Sequence, residues 1–339
     1  MKKSLIGSAL GALALGVVFS GSAFAATSAC LITKNNTNPF FVKMKEGAEA
    51  GAKAAGIELQ SFAGEKDGDA APQITAIENC VAAGVKGILI TPSNDDVGPA
   101  LKEARAKGIL VISLDTPLSD KDAQDITFAT DNFEAGKLIG AWAKATMGDK
   151  AKDAKIALLT IDKTNISVDV LRNTGFLTGF GIEVPNLKVM GSETDPRVVG
   201  FEGWGPSPEG GQKGMELILA KNPDVNLVYT INEPAAEGAY AALKAAGKEG
   251  QALIVSVDGG CPGVASVKSG VIGATSQQYP LLMASKGIEA IAAFAKDGTK
   301  PTVSEGLSFY NTGVNLVTDK PAEGVPSIDT TVGTEKCWG

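Results

Sequence analysis

Five polar residues, Asn38, Thr91, Asp115, Asn232 and Asp258, each stand where a short apolar run gives way to a turn. The sequence adds Arg172 and Gln278, and the aromatics Phe40, Phe41 and Trp204. Asp115 and Asp258 accept hydrogen bonds when ionised, Arg172 is a planar forked donor, and Asn38, Asn232 and Gln278 both donate and accept. This mixture suits a neutral polyhydroxylated ligand. Each hydroxyl of such a ligand donates and accepts, while the C–H faces of its ring stay apolar and can lie against Phe40, Phe41 or Trp204. An amino acid would need a dedicated carboxylate clamp, and a phosphate would need clustered cations or a glycine-rich loop. Gly203-Trp204-Gly205 lacks the GxGxxG spacing and follows no clear strand. Taken singly, each Asn or Asp reads better as a turn or helix-capping residue. Their shared placement is what points to a ligand cleft.

The chain contains no histidine. This excludes Ser-His-Asp and Cys-His nucleophile activation and removes the commonest metal ligand. Enzymes that use only carboxylates or lysine pass the filter. Without histidine or a CxxC pair no metal site is expected, and no cofactor is expected either.

The elements that must position these residues are legible as apolar runs. Cys30-Leu31-Ile32-Thr33 reads as a strand and the Asn-rich segment after it as its carboxyl-end loop. Phe41, Met44, Ala48, Ala52 and Ala55 follow at spacings of three and four, the stripe of an amphipathic helix. Strands are predicted over 57–62, 85–90, 109–114 and 126–130, with helices over 71–83 and 97–107. The pattern restarts at Lys155, with strands over 156–161, 187–191, 227–231, 253–257 and 273–276. Helices are expected over 168–180, 211–220, 235–246, 262–268 and 281–295, a Gly/Pro-rich loop over 200–211, and an extended tail at the end. Strands that are continuous apolar runs, alternating with helices, mean βαβ units and parallel sheets. The fold class is α/β, with two doubly wound parallel-sheet domains. Ligands bind such sheets beyond the carboxyl ends of the strands, so two facing domains would bring the five polar residues into one cleft.

Residues 1–25 read as an export leader: Lys2-Lys3, a short apolar region, and the cleavage motif Ala23-Phe24-Ala25. No later run reaches the ~18 apolar residues of a membrane span, so a soluble periplasmic protein is expected. The rest of the chain suffices for about two domains of ~150 residues. The formal net charge of −7, more negative once Lys2 and Lys3 are removed, argues against nucleic acid or anionic membrane partners. Four cysteines in an exported chain suggest two disulfides, with three possible pairings. Cys30 begins the first strand and Cys80 lies near the end of the helix that crosses back over it, so Cys30 is paired with Cys80 and, by elimination, Cys261 with Cys337.

Over essentially its whole mature length the chain resembles the type I periplasmic sugar-binding proteins of the ribose-binding class. The runs that carry the resemblance are Asn38-Pro39-Phe40-Phe41, Leu114-Asp115, Ala129-Thr130-Asp131-Asn132, Arg172 before Gly175-Phe176, Ile231-Asn232-Glu233, Val257-Asp258-Gly259 and Gln277-Gln278-Tyr279-Pro280. Within that class it is most similar to the fructose-binding components of bacterial ABC importers. These share Cys30-Leu31-Ile32-Thr33-Lys34, Asn232-Glu233-Pro234-Ala235-Ala236, Asp258-Gly259-Gly260-Cys261-Pro262-Gly263 and the ending Glu335-Lys336-Cys337-Trp338-Gly339.

The resemblance implies that Asn38, Asp115, Arg172, Asn232, Asp258 and Gln278 hydrogen-bond a monosaccharide. Phe40 and Phe41 would flank its ring, with Trp204 as the aromatic on the other face and Lys34 reaching a hydroxyl. Thr116 stands where ribose binders carry a second arginine, which leaves room for a hexose. The implied lobes are 26–130 plus 279–311 and 131–278 plus 312–339, joined by three crossing segments. A monomer would close on the sugar and be read by the membrane permease subunits of an ABC importer. Ribose, mannose or a polyol, and a chemoreceptor partner, are alternatives to fructose and to transport alone. A sugar-sensing regulator would need an amino-terminal helix-turn-helix in place of the leader. A carboxylate-based glycosidase is the competing enzyme reading.

Overall fold

The computed structural model describes Met1 and residues 27–65 and 68–339; beyond Met1, the expected leader lies outside the described residues. The apolar runs form strands β1 (Ser28–Thr33), β2 (Glu58–Ala63), β3 (Gly87–Ile90), β4 (Leu110–Leu114) and β5 (Ile126–Ala129). Helices α1 (Pro39–Ala55), α2 (Ala71–Ala82) and α3 (Gly98–Ala106) connect the first four. After α4 (Asn132–Met147) the second series begins, with β6 (Ile156–Thr160), α5 (Ser167–Phe180), β7 (Val198–Gly203), α6 (Pro208–Lys221) and β8 (Leu227–Thr230). It continues through α7 (Glu233–Ala245), β9 (Leu253–Asp258), α8 (Cys261–Lys268), β10 (Ala274–Gln277) and α9 (Pro280–Asp297). The chain then runs through two short strands, β11 (Tyr310–Asn311) and β12 (Asn315–Val317), to α10 (Thr330–Lys336).

The strand orders are β11-β5-β4-β3-β1-β2 and β12-β10-β9-β8-β6-β7. Five parallel strands in each sheet repeat one topology, and β12 adds an antiparallel edge to the second. The protein therefore has two α/β domains with parallel sheets, each sheet reversing its order beside its first strand. Such a reversal opens a crevice at the carboxyl ends. The chain passes between the sheets after β5, after β10 and after β11. Each sheet is buried on both faces, with Leu31, Leu89 and Ile112 on one side of the first and Ile32, Ile88 and Val111 on the other. In the second, Leu158, Tyr229 and Val257 face one core and Leu159, Val228 and Ile254 the other.

Three expectations change. The strand expected over 187–191 is a turn: the Asn186 Oδ1 accepts from Lys188 N at 3.0 Å and the Asn165 Oδ1 from Met190 N at 2.8 Å. The edge strand is β7, which runs into the start of the segment expected to be a loop, paired along Ile156–Thr160. Its glycines disguised it. A Cβ on Gly200 would lie 2.5 Å from the Ile218 Cγ2 and one on Gly203 2.6 Å from the Asp162 Cα, so both are required by close packing in an extended segment. The tail, expected to be merely extended, contributes β11, β12 and α10. The disulfides are Cys30–Cys80, tying β1 to α2, and Cys261–Cys337, tying α8 to the chain after α10.

Candidate ligand-binding site

The carboxyl ends of the two sheets enclose a cavity of about 540 Å³, within the range of pockets that hold small ligands. The first sheet and its helix supply Asn38, Phe40 and Asp115; the second domain supplies Arg172, Asn232, Glu233 and Asp258, with Gln278 at a crossing segment. Apolar walls come from Val168, Pro206, Pro208, Ile231 and Trp338.

Arg172 lies on α5 and is almost wholly buried. Its Nε donates to the Asn132 Oδ1 at 2.8 Å, and its Nη1 to the Ile231 carbonyl at 3.0 Å and the Asp258 Oδ1 at 3.5 Å. The Gln278 Nε2 donates to the same Asp258 oxygen at 2.8 Å. Burial pushes the Asp258 carboxyl up to about 6, against the opposing pull of the Arg172 charge and the Gln278 amide. Beside it the buried Glu233 accepts from Gly259 N at 2.8 Å, Gly260 N at 3.0 Å and the Thr275 hydroxyl at 2.7 Å. Burial, reinforced by the Asp258 charge, raises Glu233 as well. Asp115 accepts from the Thr116 hydroxyl at 2.8 Å. These bonds leave the Arg172 Nη2, the Asp115 Oδ1 and the Asp258 Oδ2 uncommitted among the described residues.

Backbone conformation sets these acids apart. Only three non-glycine described residues have positive φ, and two of them, Asp115 (64°) and Asp258 (141°), line the cavity. Such conformations persist only where the surroundings enforce them, and they cluster at functional sites.

Both readings of the asparagines hold at once. The Asn38 Oδ1 caps α1 by accepting from Phe40 N at 2.9 Å, and the Asn232 Oδ1 caps α7 by accepting from Ala235 N at 3.1 Å. The Asn232 amide also donates to the Pro206 carbonyl at 3.1 Å. Capping occupies one lone pair of each amide oxygen and leaves amide N–H donors on both side chains. Gln278 is similarly engaged, its Oε1 accepting from the Thr130 hydroxyl at 3.3 Å.

Four expected contributors lie elsewhere. Phe41 packs in the core of the first domain and against a separate, smaller cavity beside β1 and β2. Adjacent residues on a helix point about 100° apart, so once Phe40 lines the cleft Phe41 turns away. Lys34 is not among the lining residues. Thr91 is fully buried, its hydroxyl against the Met44 Sδ at 3.2 Å. Trp204 is 47% exposed, its indole donating to Glu202 and its ring lying under the Lys213 ammonium at 3.5 Å; the loop reaches the cavity through Pro206 and Pro208 instead. Missing from the expected set were Asn132, Glu233 and Trp338. All three stand inside quoted runs, but the roles of Asn132 and Glu233 depend on which helix meets Arg172 and Asp258. Trp338 carried no periodic signal at all.

Two parallel sheets whose carboxyl ends share a cleft of this composition define a cleft-binding protein. Residues 29–300 match the periplasmic binding protein domain, and the chain belongs to that family. The ribose import binding protein RbsB of Haemophilus influenzae is 33% identical over 82% of this chain and 88% of its own length. The D-allose-binding periplasmic protein of Escherichia coli is 28% identical over 90% and 96%. Among solved structures, a periplasmic solute binding protein from Actinobacillus succinogenes with bound D-allose superposes with a TM-score of 0.73 at 24% identity, covering 86% of this chain and 97% of that one. A galactofuranose binding protein gives 0.72 at 23% identity, covering 91% and 98%. These relatives are binding proteins, and this chain is a binding protein rather than an enzyme.

Proposed function

We propose that the protein captures a monosaccharide in the cavity between its sheets, in the periplasm, and delivers it to the permease of an ABC importer. The observation that carries the reading is the composition of one cavity: two strained acids, a buried arginine and the aromatics Phe40 and Trp338. Uncommitted acceptors on Asp115 and Asp258 and donors on Arg172 and Asn38 match hydroxyls that donate and accept in turn. Closure about the segments near Thr130-Asp131, Gln278-Tyr279 and Asn311-Thr312-Gly313 would bury the sugar and create the form a permease reads. Fructose is the sugar we favour, from the shared runs around Asn232, Asp258 and Cys337 and from Thr116 after Asp115. Ribose or allose is the second reading, supported by the names of the relatives at 33% and 28% identity.

A thermal-shift panel of fructose, ribose, allose, mannose and myo-inositol, followed by calorimetry, tests the proposal. A sugar at a hundredfold excess over its Kd adds about 2.7 kcal/mol of apparent stability. The expected outcome is one strong responder, recovered unchanged after incubation. A flat response across the panel would overturn the sugar-binding reading; turnover of the sugar would overturn the binding-only one.

A further inference from the structure

Trp338 lines the cavity beside Phe40. Its ring meets Phe40 edge to face, centroids 5.2 Å apart at 75°, and it is 7% exposed within the core of the first domain. Its Nε1 donates to the Gln278 carbonyl at 3.1 Å, on the crossing segment. The covalent neighbour, Cys337, is bonded to Cys261 at the start of α8 in the second domain, and Cys261 N donates to the Trp338 carbonyl at 2.8 Å. The segment is thus anchored to one domain, packed into the other and hydrogen-bonded to the connection between them.

We propose that Trp338 is an aromatic wall of the sugar site, packed against Phe40 and Gln278, and that the Cys261–Cys337 disulfide is the tether that keeps it there. The proposal rests on the sugar-binding reading above. An indole offers a broad apolar face to sugar C–H groups while its N–H, a donor only, is satisfied by Gln278. A wall residue serves only if something holds its segment in place. Here a disulfide, one backbone hydrogen bond and one indole hydrogen bond do so. Sugar affinity should therefore depend on the redox state of a bond that itself lines no part of the cavity.

Calorimetry with the sugar selected by the panel separates the possibilities, using wild type, Trp338→Ala, Trp338→Phe and the double variant Cys261→Ser/Cys337→Ser. Trp338→Ala is expected to weaken binding at least tenfold and Trp338→Phe to recover most of the loss. The double serine variant is expected to weaken binding several-fold, with Cys30–Cys80 intact and circular dichroism unchanged. A second readout uses a Trp204→Phe background, which removes the exposed indole. There, sugar should change the tryptophan emission, and adding Trp338→Phe should abolish that change. Wild-type affinity in Trp338→Ala overturns the wall, and wild-type affinity in the double serine variant overturns the tether. If wild type binds no sugar on the panel, the function proposed above fails and takes this inference with it.

Discussion

Asp258 is pulled in opposite directions by its surroundings. Burial and the Asp115 charge on the facing sheet favour its protonated form; the Arg172 charge and the Gln278 amide favour the carboxylate, and the balance lies at about 6. The buried Glu233 beside it is the third acid of the set. In the proposed complex a sugar hydroxyl donates to Asp258, which favours the ionised form, so binding releases protons near pH 6. Above that pH the acceptor is present. Below it the group is protonated, exchanges a charged acceptor for a weaker neutral one and loses its ionic attraction to Arg172. Affinity is therefore predicted to fall about tenfold for each pH unit below the titration point, measured by calorimetry at pH 7.5 and 5. Asp258→Asn should bind more weakly at pH 7.5 and show a flat profile; equal wild-type affinity at both pH values would remove Asp258 from the contacts. Arg172→Ala should weaken binding at least tenfold, about 1.4 kcal/mol, because it also leaves Asp258 without its counter-charge. The acids and the arginine were legible from their positions after apolar runs. Capping by Asn38 and Asn232 was legible too, as the competing reading of each; that it coexists with a place in the cleft, and that Gln278 accepts from Thr130, emerges only with the fold.

At the scale of elements, the placement of Arg172 depends on how closely α5 approaches α4. Gly136 and Gly140 on α4 face Gly175 and Gly179 on α5. A Cβ at these positions would lie 2.0 Å from the Arg172 carbonyl oxygen, 2.1 Å from that of Phe176, 2.2 Å from that of Phe133 and 2.1 Å from that of Lys137. The backbones touch, and that contact brings Asn132 at the start of α4 within 2.8 Å of the Arg172 Nε. Gly136→Ala must push the helices apart. It is predicted to destabilise the fold by about 1–3 kcal/mol, the usual cost of overpacking, and to weaken sugar binding through Arg172. Urea melts and calorimetry read the two effects; an unchanged midpoint together with unchanged affinity would refute the positioning role. Apolar runs were enough to locate most helices and strands, because a strand buried on both faces needs them. They failed at β7, where packing demands glycine, and at Trp338, whose place is determined by a disulfide rather than by any repeat. Phe41 and Trp204 were aromatic in the right neighbourhood. Helix geometry turns the first inward, and the second stays exposed beneath Lys213.

Across the whole molecule, the buried acids are concentrated in the second domain, and this asymmetry should govern stability against pH. Asp169 on α5 is fully buried. Its Oδ2 accepts from Ile161 N at 2.8 Å, at the end of β6, while its Oδ1 has no partner among the described residues. The Tyr229 hydroxyl and the Asn173 side-chain amide are also unpartnered and buried. Desolvation pushes Asp169 up to about 7, outweighing the backbone donors at Ile161 and Asp162 and the Arg172 charge. In the unfolded chain the same group titrates near 3.9. Between about pH 4 and 7 the native state therefore holds a proton that the unfolded state has released, and stability falls as pH rises through that window and levels off above it. Asp258 and Glu233, also raised, act in the same direction. For Asp169 alone the loss is on the order of 4 kcal/mol. Chemical denaturation at pH 5 and 7.5 should show wild type more stable at the lower pH. Asp169→Asn keeps an acceptor for Ile161 N and removes the buried charge, so its stability should differ less between the two pH values. If the variant loses as much stability as wild type over that interval, the proton resides elsewhere and Asp169 is ionised throughout.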